Sequence, residues 1–418
     1  MQVDLHPTLQ GRADAVDAAR IVGACVHCGF CTSTCPTYEL LDHELDSPRG
    51  RIYLIREMLE GGPVSARTRD HLDRCLGCRA CEPACPSGVE YGHLIDIGRR
   101  EAQRRAPRPG PQRLLRWLLH RGLSNGRLLA AGLALAWVAR PLLPRSLRAR
   151  IPPRPAREAW PPPRHARRVL TLRGCVQPAL APAHDAALAQ VLDRFGVSLV
   201  GIQGTGCCGA LALHFGDEEH ARQAMRRNID AWWPQVEQGV EAIVLSASGC
   251  AASVKDYGHL LRDDPAYAHK ARRISELLRD PAQLVVALWT QHPPALQALP
   301  PSERRIAYQA PCTQQHALRV KGVVESLLAR AGYDLAPVAE SHLCCGSAGT
   351  YSILQPALAG RLRERKLAQL TAGAPTRIAS ANIGCILHLQ QGATVDVRHW
   401  LELLAARLAT MSTTQTVR

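Results

Sequence analysis

One pattern occurs twice in the first hundred residues and limits what the chain can fold around. Cys25-x2-Cys28-x2-Cys31-x3-Cys35-Pro36 is repeated, fifty positions on, as Cys75-x2-Cys78-x2-Cys81-x3-Cys85-Pro86. Three thiols two residues apart wrap a tight loop over one face of a cubane of iron and sulfide, whereas the fourth, set by proline, points to the neighbouring site. The spacing therefore assigns Cys25, Cys28, Cys31 and Cys85 to a first 4Fe–4S cluster and Cys75, Cys78, Cys81 and Cys35 to a second. Structural zinc sites use two pairs of ligands rather than a run of four ending in Cys-Pro, which argues against zinc. The 39 residues between Cys35 and Cys75 exceed what a minimal β-rich ferredoxin needs, and residues 48–59 have helical spacing. A helical ferredoxin domain over residues 1–98 is expected.

Eight further cysteines follow a second repeat. Cys175 precedes Cys207-Cys208-Gly209 by 32 residues and is followed by Cys250; Cys312 precedes Cys344-Cys345-Gly346 by 32 and is followed by Cys385. The halves are offset by 137, 137 and 135 residues at these points. Strand-like segments (169–172, 197–202 and 242–245; 306–308, 335–338 and 377–379) alternate with helical ones (183–195; 323–331) in the same order. Strands alternating with helices imply two parallel α/β units, whose ligands gather past the carboxyl ends of the strands. The expected fold class is thus multidomain α and α/β, with a helical ferredoxin domain followed by two repeated parallel α/β cysteine-rich units, 169–300 and 301–418. A repeated thiol set points to metal or redox chemistry, and a further iron–sulfur cluster there is one reading; cysteines packed as small apolar residues are the alternative.

The first twelve residues carry no apolar stretch suited to a secretion signal, which leads to the expectation of a reducing cytoplasm, where clustered cysteines are not a disulfide frame. The net charge of +15 belongs to one segment: residues 99–168 hold 18 Arg, no Lys and only Glu101 and Glu158 as acids. Its longest uncharged run, 128–139, is shorter than the roughly 20 residues that span a bilayer, yet it is flanked by Arg127 and Arg140 and preceded by Leu114, Leu115, Trp117, Leu118 and Leu119. Arginine interleaved with Leu and Trp suits a helix lying on a membrane surface. No nucleic-acid motif or aromatic platform accompanies the arginines, so a nucleic-acid partner is not expected.

Gly204-x-Gly206-x-x-Gly209 fits a dinucleotide fingerprint, but the matching 341–346 segment of the second repeat keeps Cys344-Cys345-Gly346 and loses the other glycines. The shared element is Cys-Cys-Gly, and no flavin site is expected on this chain. Trp232 and Trp233 read as core, and His214 and His316 as satisfied or exposed residues rather than ligands.

The Cys-Cys-Gly units resemble the cysteine-rich domain of heterodisulfide reductases, whose complete versions end in Cys-x-x-Cys; here Ser253 and His388 take the final position. The whole chain resembles the iron–sulfur subunit of bacterial glycolate oxidase. The resemblance rests on Ser47-Pro48-Arg49-Gly50-Arg51, Asn228-Ile229-Asp230-Ala231-Trp232-Trp233-Pro234, His342 through Tyr351 and Ala381-Asn382-Ile383-Gly384-Cys385. It implies a complex peripheral to the cytoplasmic side of the inner membrane, in which separate flavin-binding subunits oxidise glycolate to glyoxylate and this subunit passes electrons to a quinone-type acceptor. Removing a hydride equivalent from a 2-hydroxy acid needs a flavin between substrate and one-electron clusters, so the chain alone is expected to be inert towards glycolate. The same wiring serves a D-lactate or anaerobic glycerol-3-phosphate dehydrogenase complex, and a disulfide-reducing catalytic subunit is the reading from another class.

Overall fold

The computed structural model describes residues 2–144, 148, 151–156 and 158–409. The amino-terminal unit is helical: α1 (Ala13–Gly23), α2 (Pro36–Leu41), α3 (Pro48–Leu59), α4 (Ala66–Asp73) and α5 (Tyr91–Arg105). Ser47 starts α3 by accepting a hydrogen bond from the Gly50 amide at 2.9 Å, and Pro48 follows at the position where a missing N–H costs nothing. Ile21, Ile55, Met58, Leu72, Leu94 and Ile95 are fully buried between α1, α3, α4 and α5. Helices α3 and α5 come close at Gly98, where an added Cβ would meet the Ile55 side chain at 2.6 Å. The two cysteine loops lie at the ends of this bundle, after α1 and after α4.

Much of the described part of the arginine-rich stretch is helical. It forms α6 (Gly110–Ser124) and α7 (Gly126–Ala139), joined at Asn125, whose side chain accepts hydrogen bonds from the Arg127 and Leu128 amides. Neither helix has a buried residue. Arg108 grips Asp73 at 2.6 and 2.8 Å, which fastens the approach to α6 onto the bundle. At the other end the ring of His120 lies 5.7 Å from that of Phe215 in the first α/β unit.

Two four-stranded parallel sheets follow. β1 (Arg167–Thr171), β2 (Val197–Gly201), β3 (Ile243–Val244) and β4 (Leu278–Arg279) lie in the order β2-β1-β3-β4. β5 (Arg305–Gln309), β6 (Asp334–Leu335), β7 (Arg377–Ser380) and β8 (Asp396–His399) repeat it as β6-β5-β7-β8. Val169 pairs with Leu199 in the first sheet, and Ala307 with Ile378 in the second. The sequence pattern indicates three strands in each unit; the fourth strands, β4 and β8, are a two-residue pair and the half-charged Asp-Val-Arg-His, neither of which carries a strand signature. The third strand is shorter than its apolar run in the first unit, and β6 ends at Leu335 although the apolar residues continue to Val338.

The units pack helix against helix. Helix Ala183–Arg194 of the first lies against Trp400–Ala409 of the second, and Pro281–Gln291 of the first against Val323–Arg330 of the second. Leu188, Leu192, Leu288, Leu328, Leu401 and Leu404 thus belong to one core drawn from both repeats. The carboxyl ends of the two sheets face each other. There the Ser248 amide donates to the Ala381 carbonyl at 3.1 Å, and the Ser248 and Thr313 hydroxyls lie 2.8 Å apart.

Candidate functional site

The two amino-terminal cysteine loops have the same backbone. His27 and Gly77, each just before the second cysteine of its motif, have φ of 55° and 63°; Gly29 and Arg79, each just after it, have φ of 86° and 57°. Left-handed residues on both sides of a cysteine curl successive N–H groups inward into a concavity suited to an anion. Gly77 N donates to Cys75 Sγ at 3.4 Å, and the His27 and Ala80 amides bond the sulfurs of Cys25 and Cys78 in the same way. Gly29 takes its left-handed conformation without strain, and a Cβ there would press on the movable tip of Arg49, 2.9 Å away.

Cys25, Cys28, Cys31 and Cys85 line one small cavity of about 30 Å³, and Cys35, Cys75 and Cys78 another of about 20 Å³, with Cys81 on the wall of both. Five thiols around the first space and four around the second, with amide hydrogens aimed at sulfur, form donor sets suited to anionic iron–sulfur clusters. Burial pushes the Cys25, Cys31, Cys78 and Cys81 thiols up, Cys31 to about 11, so metal binding must displace those protons. The surroundings differ. The first loop faces solvent: Cys28 is exposed, with Val26 67% and Phe30 63% exposed. Beside the second, Arg51 is buried, its guanidinium held by the His71 carbonyl at 2.8 Å, Thr37 at 3.1 Å and Asp46 at 3.4 Å. Arg99 donates to the Leu72 and Cys75 carbonyls, and Tyr91 Oη lies 3.8 Å from Cys75 Sγ.

The other eight cysteines form two quartets. In the first, Cys175, Cys207, Cys208 and Cys250 are neighbours in that order; in the second, Cys312, Cys344, Cys345 and Cys385 are, with Cys312 and Cys344 sulfurs 3.9 Å apart. Hydrogen bonds from Cys175 and Cys208, opposed by burial, push Cys207 down, so this thiol is the readiest to ionise in the first quartet. In the second quartet, burial of Lys366 beside the sulfurs lowers its pKa, and its Nζ is held 2.8 Å from the Glu340 carbonyl. Both quartets open onto a single chamber of about 420 Å³, walled mostly by apolar groups. Ser253 and His388 do not join the quartets: Ser253 donates to the Cys208 carbonyl at 3.3 Å, and His388 Nε2 lies 3.1 Å from the Ala359 carbonyl.

The helical unit roofs this chamber. Leu76 and Gly77 of the second cysteine loop line it, together with His214 and with Leu123 of α6. Leu76 packs with Cys344 and Tyr351, and Cys78 and Cys312 close the same cluster. The second loop therefore touches the second quartet directly. Trp232 is fully buried, while Trp233 is partly exposed with its indole N–H on Glu237. His316 is buried with Nε2 at the His342 carbonyl; His214 is a wall residue of the chamber. Sequence reading missed Leu76, Gly77 and the polar group Gln177, Asp185 and Ser246 on the chamber wall, because nothing in local spacing reveals which loops meet across domains. One other set of ligand-type residues lies outside these centres, His43, Asp46 and His71, but the Asp46 carboxylate already holds Arg51 and Arg74, whose charges disfavour a cation.

Comparison with known proteins agrees with this division. A family model described as a 4Fe-4S dicluster domain matches residues 21–89, and one described as a cysteine-rich domain matches 169–255 and 306–390. The chain carries two 4Fe–4S clusters in the first region. It is 47% identical over 409 residues to the glycolate oxidase iron-sulfur subunit of Escherichia coli (strain K12), covering 98% of this chain and 99% of that one. It is 30% identical over 402 residues to the probable glycolate oxidase iron-sulfur subunit of Bacillus subtilis (strain 168), covering 88% of each. Similarity to lactate utilization protein A of Bacillus licheniformis is 26% over 227 residues, which is 53% of this chain. Identity at that level along almost its whole length means that the chain belongs to the family of glycolate oxidase iron–sulfur subunits.

Proposed function

We propose that this chain conducts electrons from a flavin-binding partner that oxidises glycolate to a quinone-type acceptor, inside a complex held at the cytoplasmic face of the inner membrane. Cys25, Cys28, Cys31 and Cys85 would hold the first cluster, and Cys75, Cys78, Cys81 and Cys35 the second. The eight Cys-Cys-Gly cysteines would hold further iron–sulfur or thiol redox centres. The observation that carries the reading is the contact of Cys78 with Cys312 and Cys344. It makes a continuous line from the solvent-facing first loop, past the second, to the chamber between the quartets. The exposed Val26 and Phe30 beside Cys28 supply an apolar landing surface for the flavin subunit, where electrons enter.

The acceptor end lies beside α6 and α7. Leu135, Val138 and Leu142 are 71%, 77% and 89% exposed, next to Arg127 and Arg140, and no helix among the described residues is long and apolar enough to cross a membrane. Such a pair suits the lipid interface, with each basic residue near an anionic surface adding about 1 kcal/mol. The test uses the complex with its flavin subunit. Cys207→Ser and Cys345→Ser should leave flavin reduction by glycolate intact and abolish quinone reduction; normal quinone turnover in both would overturn the assignment of the chamber as the exit.

A further inference from the structure

The chamber wall carries one carboxylic acid. Asp185, on helix Ala183–Arg194, is partly buried, lines the chamber beside Gln177 and Ser246, and forms no ion pair with Arg or Lys among the described residues. Its Oδ1 accepts hydrogen bonds from Ser246 Oγ at 2.5 Å and Gln177 Nε2 at 2.7 Å. Burial pushes this carboxyl up, against those two bonds. Taking the 137-residue offset between the first cysteines of the repeats, the corresponding position is Gly322, so the acid is not part of what the repeated fold requires.

Titratable groups lead from Asp185 to the surface. His184, its neighbour in the chain, has Nε2 3.2 Å from Glu402 Oε1, while its Nδ1 is buried without a partner. His399 lies 4.6 Å from the His184 ring and has Nε2 3.1 Å from the Ser246 carbonyl. Glu402 reaches Arg398 at 3.5 Å, and the charge of Glu158 is felt there too. Arg398 is half exposed. His184 is the group whose charge reaches the acid, and Cys175, Cys207, Cys208 and Cys250 share the chamber wall with it.

The geometry points to Asp185 as the proton donor to an acceptor bound in the chamber, resupplied from solvent through Glu402 and His184. This rests on the reading of the chamber as the exit for electrons, and deepens it: the acceptor is a flat, lipophilic carbonyl ring of the quinone class, which takes protons together with electrons. Two electrons arrive singly, and two O–H bonds form on the ring. For each, the O–H bond of the Asp185 carboxyl breaks, and the carboxylate regains a proton that water delivers by way of Glu402 and His184.

The experiment compares two acceptors in the intact complex with glycolate as donor: a short-chain ubiquinone analogue, which takes protons, and ferricyanide, which takes only electrons. Asp185→Asn should lower quinone turnover about tenfold or more, in keeping with loss of a general acid, and leave ferricyanide turnover within twofold. Asp185→Glu should restore much of the loss, and wild-type quinone turnover should fall with rising pH along a titration that Asp185→Asn removes. Should Asp185→Asn fail to fold, Glu402→Gln at the outer end should slow quinone turnover alone, about threefold. Equal losses with both acceptors, or an unchanged quinone rate and pH profile, would overturn the donor assignment. Quinone reduction that survives both Cys207→Ser and Cys345→Ser would instead overturn the exit reading beneath it.

Discussion

Arg79 Nη2 lies 2.5 Å from Asp256 Oδ2, so a residue inside the second cysteine loop is tied to the first α/β unit. Beside the pair, His93 and His259 stack with ring centroids 3.7 Å apart. Burial opposes the Asp256 charge, but His93, with Nε2 3.7 Å away, and the charge of Arg79 hold its carboxyl well below the usual range. Asp256→Asn would strand the Arg79 guanidinium in a poorly solvated contact. The expected cost is about 3 kcal/mol, read by chemical denaturation of the purified subunit.

The same joint responds to acid through His259. Burial first, then the charges of His93 and Arg262, lower its pKa from 6.5 to about 4. The folded state therefore binds this proton less readily than the unfolded chain. Its contribution is complete above about pH 6.5, declines as pH falls, and levels off below about pH 4. Because the ring is partly solvated, a loss of about 1–2 kcal/mol is expected across that window. Comparing denaturation at pH 7 and pH 5 should show a smaller difference in His259→Gln than in the wild type.

Gly50 is a second point of tight tolerance. A Cβ there would sit 2.0 Å from the Glu44 carbonyl oxygen, a backbone atom with nowhere to go. Gly50→Ala should cost at least about 2 kcal/mol and displace the start of α3, which carries Arg51 beside the second cavity. Iron content after anaerobic purification is the readout, and full iron retention with unchanged stability would contradict it.

The crossed ligand assignment has a spectroscopic consequence. Cys85 lines the cavity of Cys25, Cys28 and Cys31, 54 to 60 residues away in sequence. Cys85→Ser should alter the EPR signal and potential of the cluster built on those three residues and leave the other unchanged; Cys35→Ser should do the reverse.

For the lipid-facing pair, flotation with liposomes across a salt series provides the check. Binding through Arg127, Arg140 and their neighbours should require anionic lipid and weaken as salt screens the charges. Binding indifferent to lipid charge and salt, or none, would mean that α6 and α7 meet a partner subunit instead.

What the sequence revealed and what it hid divide along a physical line. Helix α3 was legible to the residue because Ser47-Pro48 and Gly61-Gly62 mark its ends by local chemistry. The parallel units were legible because duplication wrote the same strand–cysteine order twice. The fourth strands were not, since β4 is two residues held by its neighbour Ile243–Val244 rather than by its own propensity. The cysteines of the chamber announced themselves by spacing, but Asp185 did not: an acid on an amphipathic helix looks solvent-facing until Gln177 and Ser246 are found closing over it.

The helix-against-helix packing of the two α/β units has a mechanical corollary. Each half has a core of its own, but they also share a leucine layer, so they cannot swing apart like jaws without tearing it. The space between the quartets is then a slot of set width, and it selects what enters by thickness rather than by closing around it.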